Sequence, residues 1–288
     1  MKIVILGGSG FLGSHLADYL ILKNHKVIIF DKKKSNYFNK KCKMVIGNLH
    51  NTKLLEKSLK GADVVYHYAG ISDIGYSIKE PFETINSNIL GTYKVLEACK
   101  KLKIKRLIFA STIYVQSSQG SFYRVSKHSS ELLIREFNKK FGLNYTILRF
   151  GSVYGARASI NNGLTKIIYK YLKNKKHLQY DGSSKAQRKF INVKDVSKTS
   201  LKILKKKYIN KTVLITGRTT MKIKNVMSII AKVLNTKAKF KFKNKQQLGH
   251  YVFSPNVKEK IRIFKLNIKN TKGFSDGIYE IINDIMLN

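Results

Sequence analysis

Met1–Asp31 reads MKIVILGGSGFLGSHLADYLILKNHKVIIFD. Met1–Leu6 is a short apolar run that predicts a strand. It breaks into Gly7-Gly8-Ser9-Gly10-Phe11-Leu12-Gly13, a turn rich in glycine. Leu12, Leu16, Tyr19 and Leu20 then share one face of a predicted helix. A second strand-like run, Val27–Phe30, ends at Asp31. Strand, glycine turn, helix, strand and terminal acid make half of a dinucleotide-binding fold. Glycines let the backbone approach a pyrophosphate at a helix N-terminus, and the acid suits the free diol of an adenosine ribose. A bare glycine turn without a ligand would not need the acid.

Outward from this stretch, strand-like runs recur at Lys43–Ile46, Val64–Tyr68, Arg106–Ala110 and Tyr145–Arg149, with helical stretches between them. The alternation predicts an α/β fold: a doubly wound parallel sheet with helices on both faces. After Arg149 the rhythm breaks, and Gly, Ser and Asn cluster at 151–163 and 181–184. A helix at Leu164–Leu172, a late strand at Thr212–Thr216 and a helix at Lys224–Leu234 follow. We therefore expect a dinucleotide-binding domain over 1–150, with a returning segment at about 186–217. A smaller substrate lobe is expected over 151–185 and 218–288.

Length and charge bound the reading. The chain has 288 residues and a formal net charge of +40, yet only eight arginines. Lysine is scattered evenly, and Asn and Ile are abundant. Lys, Asn and Ile share A/T-rich codons, so compositional bias explains the charge better than a dedicated nucleic-acid site. A positive field would still steer anionic substrates inward. No apolar stretch is long enough to span a bilayer, so no membrane insertion is expected. Cys42 and Cys99 are the only cysteines, which suits a reducing cytoplasm. No Cys/His cluster has metal-ligand spacing.

Tyr-x-x-x-Lys occurs five times, so the pattern alone carries little. Position singles out Tyr123 and Lys127. They follow a strand that ends at Ser111-Thr112, and a spacing of four puts both on one helix face. A phenol is a poor base near pH 7, and a neighbouring ammonium favours its ionised form. Thr112 can hold the oxygen that gains or loses a proton. On its own, Thr112 reads equally well as a strand-end hydroxyl capping local backbone.

These residues carry a family resemblance that covers most of the chain. The sequence resembles the extended short-chain dehydrogenase/reductases, specifically the NAD-dependent epimerase/dehydratase family acting on nucleotide sugars. Gly7, Gly10 and Gly13 match its glycine pattern, with Phe11 and Leu12 between them, and Asp31 matches its ribose acid. Gly47-Asn48-Leu49 resembles the element that touches adenine. His67-Tyr68-Ala69-Gly70 and Asn88-Ile89-Leu90-Gly91-Thr92 resemble elements beside the cofactor. Leu148–Gly155, which holds Phe150, Ser152 and Val153, resembles Leu-Arg-Tyr-x-Asn-Val-Tyr-Gly. Arg188–Val196 resembles the segment whose leading arginine binds the nucleotide diphosphate, and Asn161-Asn162 resembles a pair that reaches the sugar nucleotide.

The resemblance implies NAD as cofactor and Thr112, Tyr123 and Lys127 as the catalytic set. It implies Gly7, Gly10, Phe11, Leu12, Gly13, Asp31, Asn48, Leu49, Ala69, Gly70, Asn88, Phe150 and Val153 at the cofactor, joined there by Tyr123 and Lys127. It places Ser152, Asn161, Asn162 and Arg188 at the substrate. It also implies a homodimer built from the helices around Asn88–Lys101 and after Tyr123. Leu90, Tyr93, Val95, Leu96, Leu132, Leu133 and Phe137 would supply the apolar surface.

Departures shape the function. Ile113-Tyr114 stands where 4,6-dehydratases carry Asp-Glu, so an elimination would lack its acid and base. Only ten residues separate Thr112 from Tyr123, fewer than nucleotide-sugar enzymes usually carry. The expected activity is a nucleotide-sugar 4-epimerase. The alternatives are a ketoreductase or dehydrogenase with exchangeable NAD(P), a catalytically silent NAD-binding regulator and a polyanion-binding module.

Overall fold

The computed structural model describes residues 1–243, 249–253, 255, 262–266, 268 and 273–287. Six strands follow the apolar runs closely: β1 (Lys2–Leu6), β2 (Lys26–Asp31), β3 (Lys43–Ile46), β4 (Val64–His67), β5 (Arg106–Thr112) and β6 (Tyr145–Phe150). With Lys211–Ile215 and Ile263–Lys265 they form one eight-stranded sheet. Its order is Ile263–Lys265, Lys211–Ile215, β6, β5, β4, β1, β2, β3. Every pairing in it is parallel. The order reverses between β1 and β4. A doubly wound sheet opens its ligand crevice at such a switch point, beyond the strands' carboxyl ends.

Alternation along each strand builds two cores. Ile3 and Ile5 face Leu16 and Leu20 on one side of the sheet. Val4 and Leu6 face Leu55, Leu59 and Leu96 on the other. Both faces are covered by helices, as all-parallel sheets require. The helices that matter for the site are α1 (Phe11–Ile21), α2 (Thr52–Leu59), α3 (Ile74–Lys79), α4 (Pro81–Ile85), α5 (Gly91–Lys101) and α6 (Ser121–Phe141). A π-helical turn, Asn86–Leu90, joins α4 to α5 and buries Asn88.

α6 spans 21 residues and begins two residues before Tyr123. Its first turn turns Phe122 and Val125 outward, 40% and 44% exposed, so the apolar period fails there although the backbone is helical. Of the apolar residues expected on an intermolecular face, Val95, Leu96 and Phe137 are buried against the sheet. That part of the expectation is corrected: sheet packing claims these side chains. Leu90, Tyr93 and Leu132 remain exposed.

A third core gathers Leu164, Ile168, Leu178, Val226, Met227, Ile230, Ile278 and Ile281 from the helices Gly163–Asn174, Ile223–Val233 and Phe274–Leu287 and the strand His177–Tyr180. Helix Val193–Lys202, inside the segment expected to return, packs on α1. A further link to the sheet was not legible. Ile263–Lys265 adds an edge strand beside Lys211–Ile215; at three residues it is too short for its alternation to register.

Candidate active site

The crevice begins where β1 ends. Gly7 has φ +81, and a Cβ there would lie 2.5 Å from Ala69 N. The end of β1 thus touches the turn after β4. A Cβ on Gly13 would lie 2.3 Å from Gly7 O, so α1 seats directly on the glycine turn. Gly10 caps α1 without a side-chain hydrogen bond, which leaves the helix N-terminus open. Asp31, at the end of β2, accepts a 2.9 Å hydrogen bond from Ser9 N–H through Oδ2. These groups border a cleft of about 340 Å³ that is also lined by Lys32, Lys33, Asn48, Leu49, Tyr68, Ala69, Gly70 and Ile71.

Not every residue expected at the cofactor lines this cleft. Asn88 is spent as a brace. Its Oδ1 accepts from Ile71 N–H at 2.7 Å, and its Nδ2 donates to Ile71 O and to Ser126 Oγ, both at 2.9 Å. It fixes the Gly70-Ile71 wall to α6. Phe11 and Leu12 lie in the first turn of α1. Phe150 is buried at the end of β6, edge-on to Tyr68 at 5.9 Å. Val153 sits on the next short strand, Ser152–Tyr154, which pairs with Phe190–Asn192.

The three residues expected to do chemistry come together. β5 carries Thr112 to its carboxyl end, and α6 brings Tyr123 and Lys127 over it. The Thr112 side chain stands near enough to the Tyr123 phenol to favour its ionised form. Lys127 Nζ donates to Ala110 O at 2.9 Å and lies 4.8 Å from the Phe109 ring centroid. Thr112 Oγ1 also accepts from Tyr114 N–H at 3.2 Å, so the local capping role is real as well. Burial pushes the Tyr123 phenol up to about 12, against the opposing effect of Thr112. Burial lowers Lys127 to about 8, and the Glu131 carboxylate one turn further along opposes this. The set can hold a proton at Tyr123 Oη beside a cationic lysine.

Glu131 was not anticipated, although it continues the spacing of four on the same helix face. Its Oε1 accepts from Ser111 Oγ at 2.6 Å and Arg149 Nε at 2.8 Å. Its Oε2 accepts from Arg149 Nη2 at 2.7 Å and Arg135 Nη2 at 2.9 Å. This ties α6 to β5 and β6 directly behind the catalytic set.

The substrate-side candidates all lie after β6. Ser152 is half-buried, and Asn161 is exposed. Asn162 donates from Nδ2 to Val153 O at 3.1 Å and precedes helix Gly163–Asn174. Arg188 is buried, with Nη1 donating to Gln187 O at 2.8 Å and Val252 O at 3.3 Å.

A model of the NAD dependent epimerase/dehydratase family matches residues 3–215. The chain belongs to that family. A putative UDP-glucose 4-epimerase of Methanocaldococcus jannaschii is 32% identical over 223 residues, 70% of this chain and 73% of that protein. An uncharacterized UDP-glucose epimerase of Bacillus subtilis is 31% identical over 272 residues, covering 85% and 86% of the two chains. The UDP-glucuronic acid 4-epimerase from Bacillus cereus, solved with UDP-glucuronic acid and NAD, superposes with a TM-score of 0.87 at 26% identity. That match covers 100% of this chain and 99% of that one.

As a member of this NAD-dependent family, the enzyme has a site that fits the cofactor on its own geometry. Ser9 Oγ is buried in the glycine turn with no hydrogen-bond partner among the described residues. Side chains at Gly7 and Gly13 would collide with backbone. The cleft runs from the glycine turn past Asp31, and its Ala69-Gly70 wall stands beside Lys127: a Cβ on Gly70 would lie 3.5 Å from Lys127 Nζ.

Proposed function

We propose that this enzyme is a nucleotide-sugar 4-epimerase acting on a uridine diphosphate sugar. The observation that carries the reading is the meeting of Thr112, Tyr123 and Lys127 at the end of β5 and the start of α6, with Lys127 beside the Gly70 wall of the cofactor cleft. Gly7, Gly10, Phe11, Leu12 and Gly13 cradle the pyrophosphate. Asp31 binds the adenosine ribose, and Asn48 and Leu49 bind adenine. Ala69, Gly70, Asn88, Phe150 and Val153 form the nicotinamide end, and Lys127 reaches that ribose.

Bound NAD supplies a reversible acceptor for the hydrogen on C4. Tyr123 Oη takes the C4 hydroxyl proton, and Thr112 holds the same oxygen in place. The charge on Lys127 favours the phenolate that this requires. The proton returns from Tyr123 when the 4-keto sugar is reduced on its other face. Arg188 holds the diphosphate meanwhile, with Ser152, Asn161 and Asn162 around the sugar nucleotide, so the hexose can turn without leaving. Ile113-Tyr114 offers no carboxylate for elimination, which separates this site from a 4,6-dehydratase.

The test is direct. Purified protein is assayed for nucleotide retention by mass spectrometry and for interconversion of UDP-glucose with its C4 epimer. Retained NAD and interconversion without net absorbance change at the reduced-nicotinamide band are expected. Net cofactor consumption would make the enzyme a ketoreductase instead. Arg188→Lys keeps the charge and removes the planar fork of donors. It should raise the nucleotide-sugar KM about tenfold and leave NAD affinity unchanged; unchanged KM would assign Arg188 a structural role.

The homodimer belongs to the same proposal. Phe82, Ile85, Leu90, Tyr93, Phe122, Val125 and Leu132 are 39–74% exposed along α4 to α6. A second copy covers this strip, and light scattering showing a monomer at micromolar concentration would refute it. Cys42 and Cys99 are both free and buried, which supports a reducing cytoplasm. Among the described residues no helix is long and apolar enough to cross a membrane.

A further inference from the structure

The family match ends at residue 215, yet the segment 249–253 reaches back to the catalytic residues. Tyr114 is the point of contact. It stands two residues after Thr112, and its ring lies edge-on to Tyr123 at 6.4 Å. Its hydroxyl is 2.9 Å from His250 Nδ1. Its ring lies 4.8 Å from that of Tyr251, which carries the Arg188 guanidinium at 4.2 Å. Two glycines at positive φ make room for the arrangement. A Cβ on Gly120 (φ +107) would lie 2.9 Å from Tyr114 Cδ1. A Cβ on Gly249 (φ +75) would lie 2.7 Å from Ile74 Cγ2. One cluster therefore runs from the catalytic tyrosine to the proposed diphosphate anchor.

Its members differ in exposure. Tyr251 and Arg188 are buried, whereas Tyr114 and His250 keep part of their surface accessible, as Tyr123 does. The cluster also differs in charge from end to end. Burial lowers His250 to about 4, Arg188 and Lys166 push the same way, and Asp73 opposes them. His250 is thus neutral at pH 7 and adds nothing to phosphate attraction. A phenol and a neutral imidazole instead bind hydroxyl groups, and a ring face packs on sugar C–H edges. A cluster serving only as core would gain more from apolar side chains, since a half-buried phenol–imidazole pair carries a desolvation cost.

We propose that Tyr114 and His250 form the wall that places the hexose of the nucleotide sugar against Tyr123, and so help to decide which sugar is turned over. This rests on the nucleotide-sugar reading above. Tyr114 also occupies one of the two positions after Thr112 where an elimination would need a carboxylate.

The experiment compares wild type, Tyr114→Phe and His250→Ala. UDP-glucose KM and kcat are measured alongside calorimetric affinity for UDP, which lacks the sugar, and for NAD. Each variant should raise the sugar-nucleotide KM about fivefold, the range of one neutral hydrogen bond, while UDP and NAD affinities stay within about twofold of wild type. The double variant should be little worse than either single one, because the two groups act as a pair. Retained NAD binding shows that a variant is folded, and either single variant suffices. A sugar KM unchanged in both would overturn the wall. UDP affinity falling in parallel with the sugar nucleotide would overturn it too, by moving the pair to the diphosphate. Wild-type protein that turns over no nucleotide sugar would refute the proposed function itself, and this role with it.

Discussion

Tyr123 and Lys127 illustrate how two ordinary side chains become a proton-handling pair. Burial alone makes the phenol a weaker acid, up to about 12, and makes the ammonium a stronger one, down to about 8. The lysine is still cationic at pH 7, and that charge is what the phenolate needs. Tyr123→Phe removes the proton carrier and only one of the many groups expected at the cofactor. It should lower kcat by about 10²–10⁴ and leave NAD affinity within about twofold. A near wild-type rate would move the catalytic base elsewhere. Lys127→Met should reduce both turnover and NAD affinity. The pH profile carries its own sign. Lys127 loses its proton as pH rises through about 8, so kcat/KM should fall on the alkaline side near that value. A profile flat to about pH 9.5 would show that the lysine charge is not required.

Helix α6 carries two of the three residues proposed as catalytic, so its seating decides their geometry. Glu131 seats it, with four donors from Ser111, Arg149 and Arg135 on a carboxylate that has no exposed surface. Arg149 is 1% exposed, and removing its partner leaves a buried charge uncompensated. Glu131→Gln should therefore destabilise the fold by about 3–5 kcal/mol in urea unfolding. A loss below about 1 kcal/mol would mean that the helix is held by its apolar face alone. Sequence made much of this element visible and hid the rest for definite reasons. β1 and β2 were legible to within a residue because buried parallel strands are continuous apolar runs bounded by turns. Tyr123 and Lys127 were legible only through their place after β5, since five such pairs exist. The brace role of Asn88 was not, because a π-helical turn aims it and local pattern does not encode that turn. Nor was the cluster of Tyr114, His250 and Tyr251, whose members meet across more than a hundred residues with no periodic signal.

The whole molecule holds +40 of formal charge together with a set of buried neutral imidazoles, and both bear on its response to acid. Burial lowers His15 to about 4, with its Nε2 against Ala156 O at 3.0 Å. Burial and the charge of Lys127 lower His67 to about 3, with its Nε2 3.0 Å from Thr92 Oγ1. His250 falls to about 4. In the unfolded chain all three titrate near the ordinary value of 6.5. Between about pH 6.5 and 4 the unfolded state therefore binds more protons than the folded one. Stability must fall as pH drops through that window, at most on the order of 1 kcal/mol per histidine per pH unit. Asp181, held well below its usual range by Gln179, Lys170 and Lys166 against the opposing effect of burial, adds a further loss only below about 4. Net positive charge would also destabilise the fold in acid, but by surface repulsion, which 1 M salt screens within about 3 Å. Desolvation of a buried imidazole is not screened. Thermal melting at pH 7 and pH 5, in low salt and in 1 M salt, separates the two causes. Salt should raise Tm at both pH values and leave most of the difference between them intact. If the difference vanishes in salt, surface charge governs the acid response and the buried histidines do not.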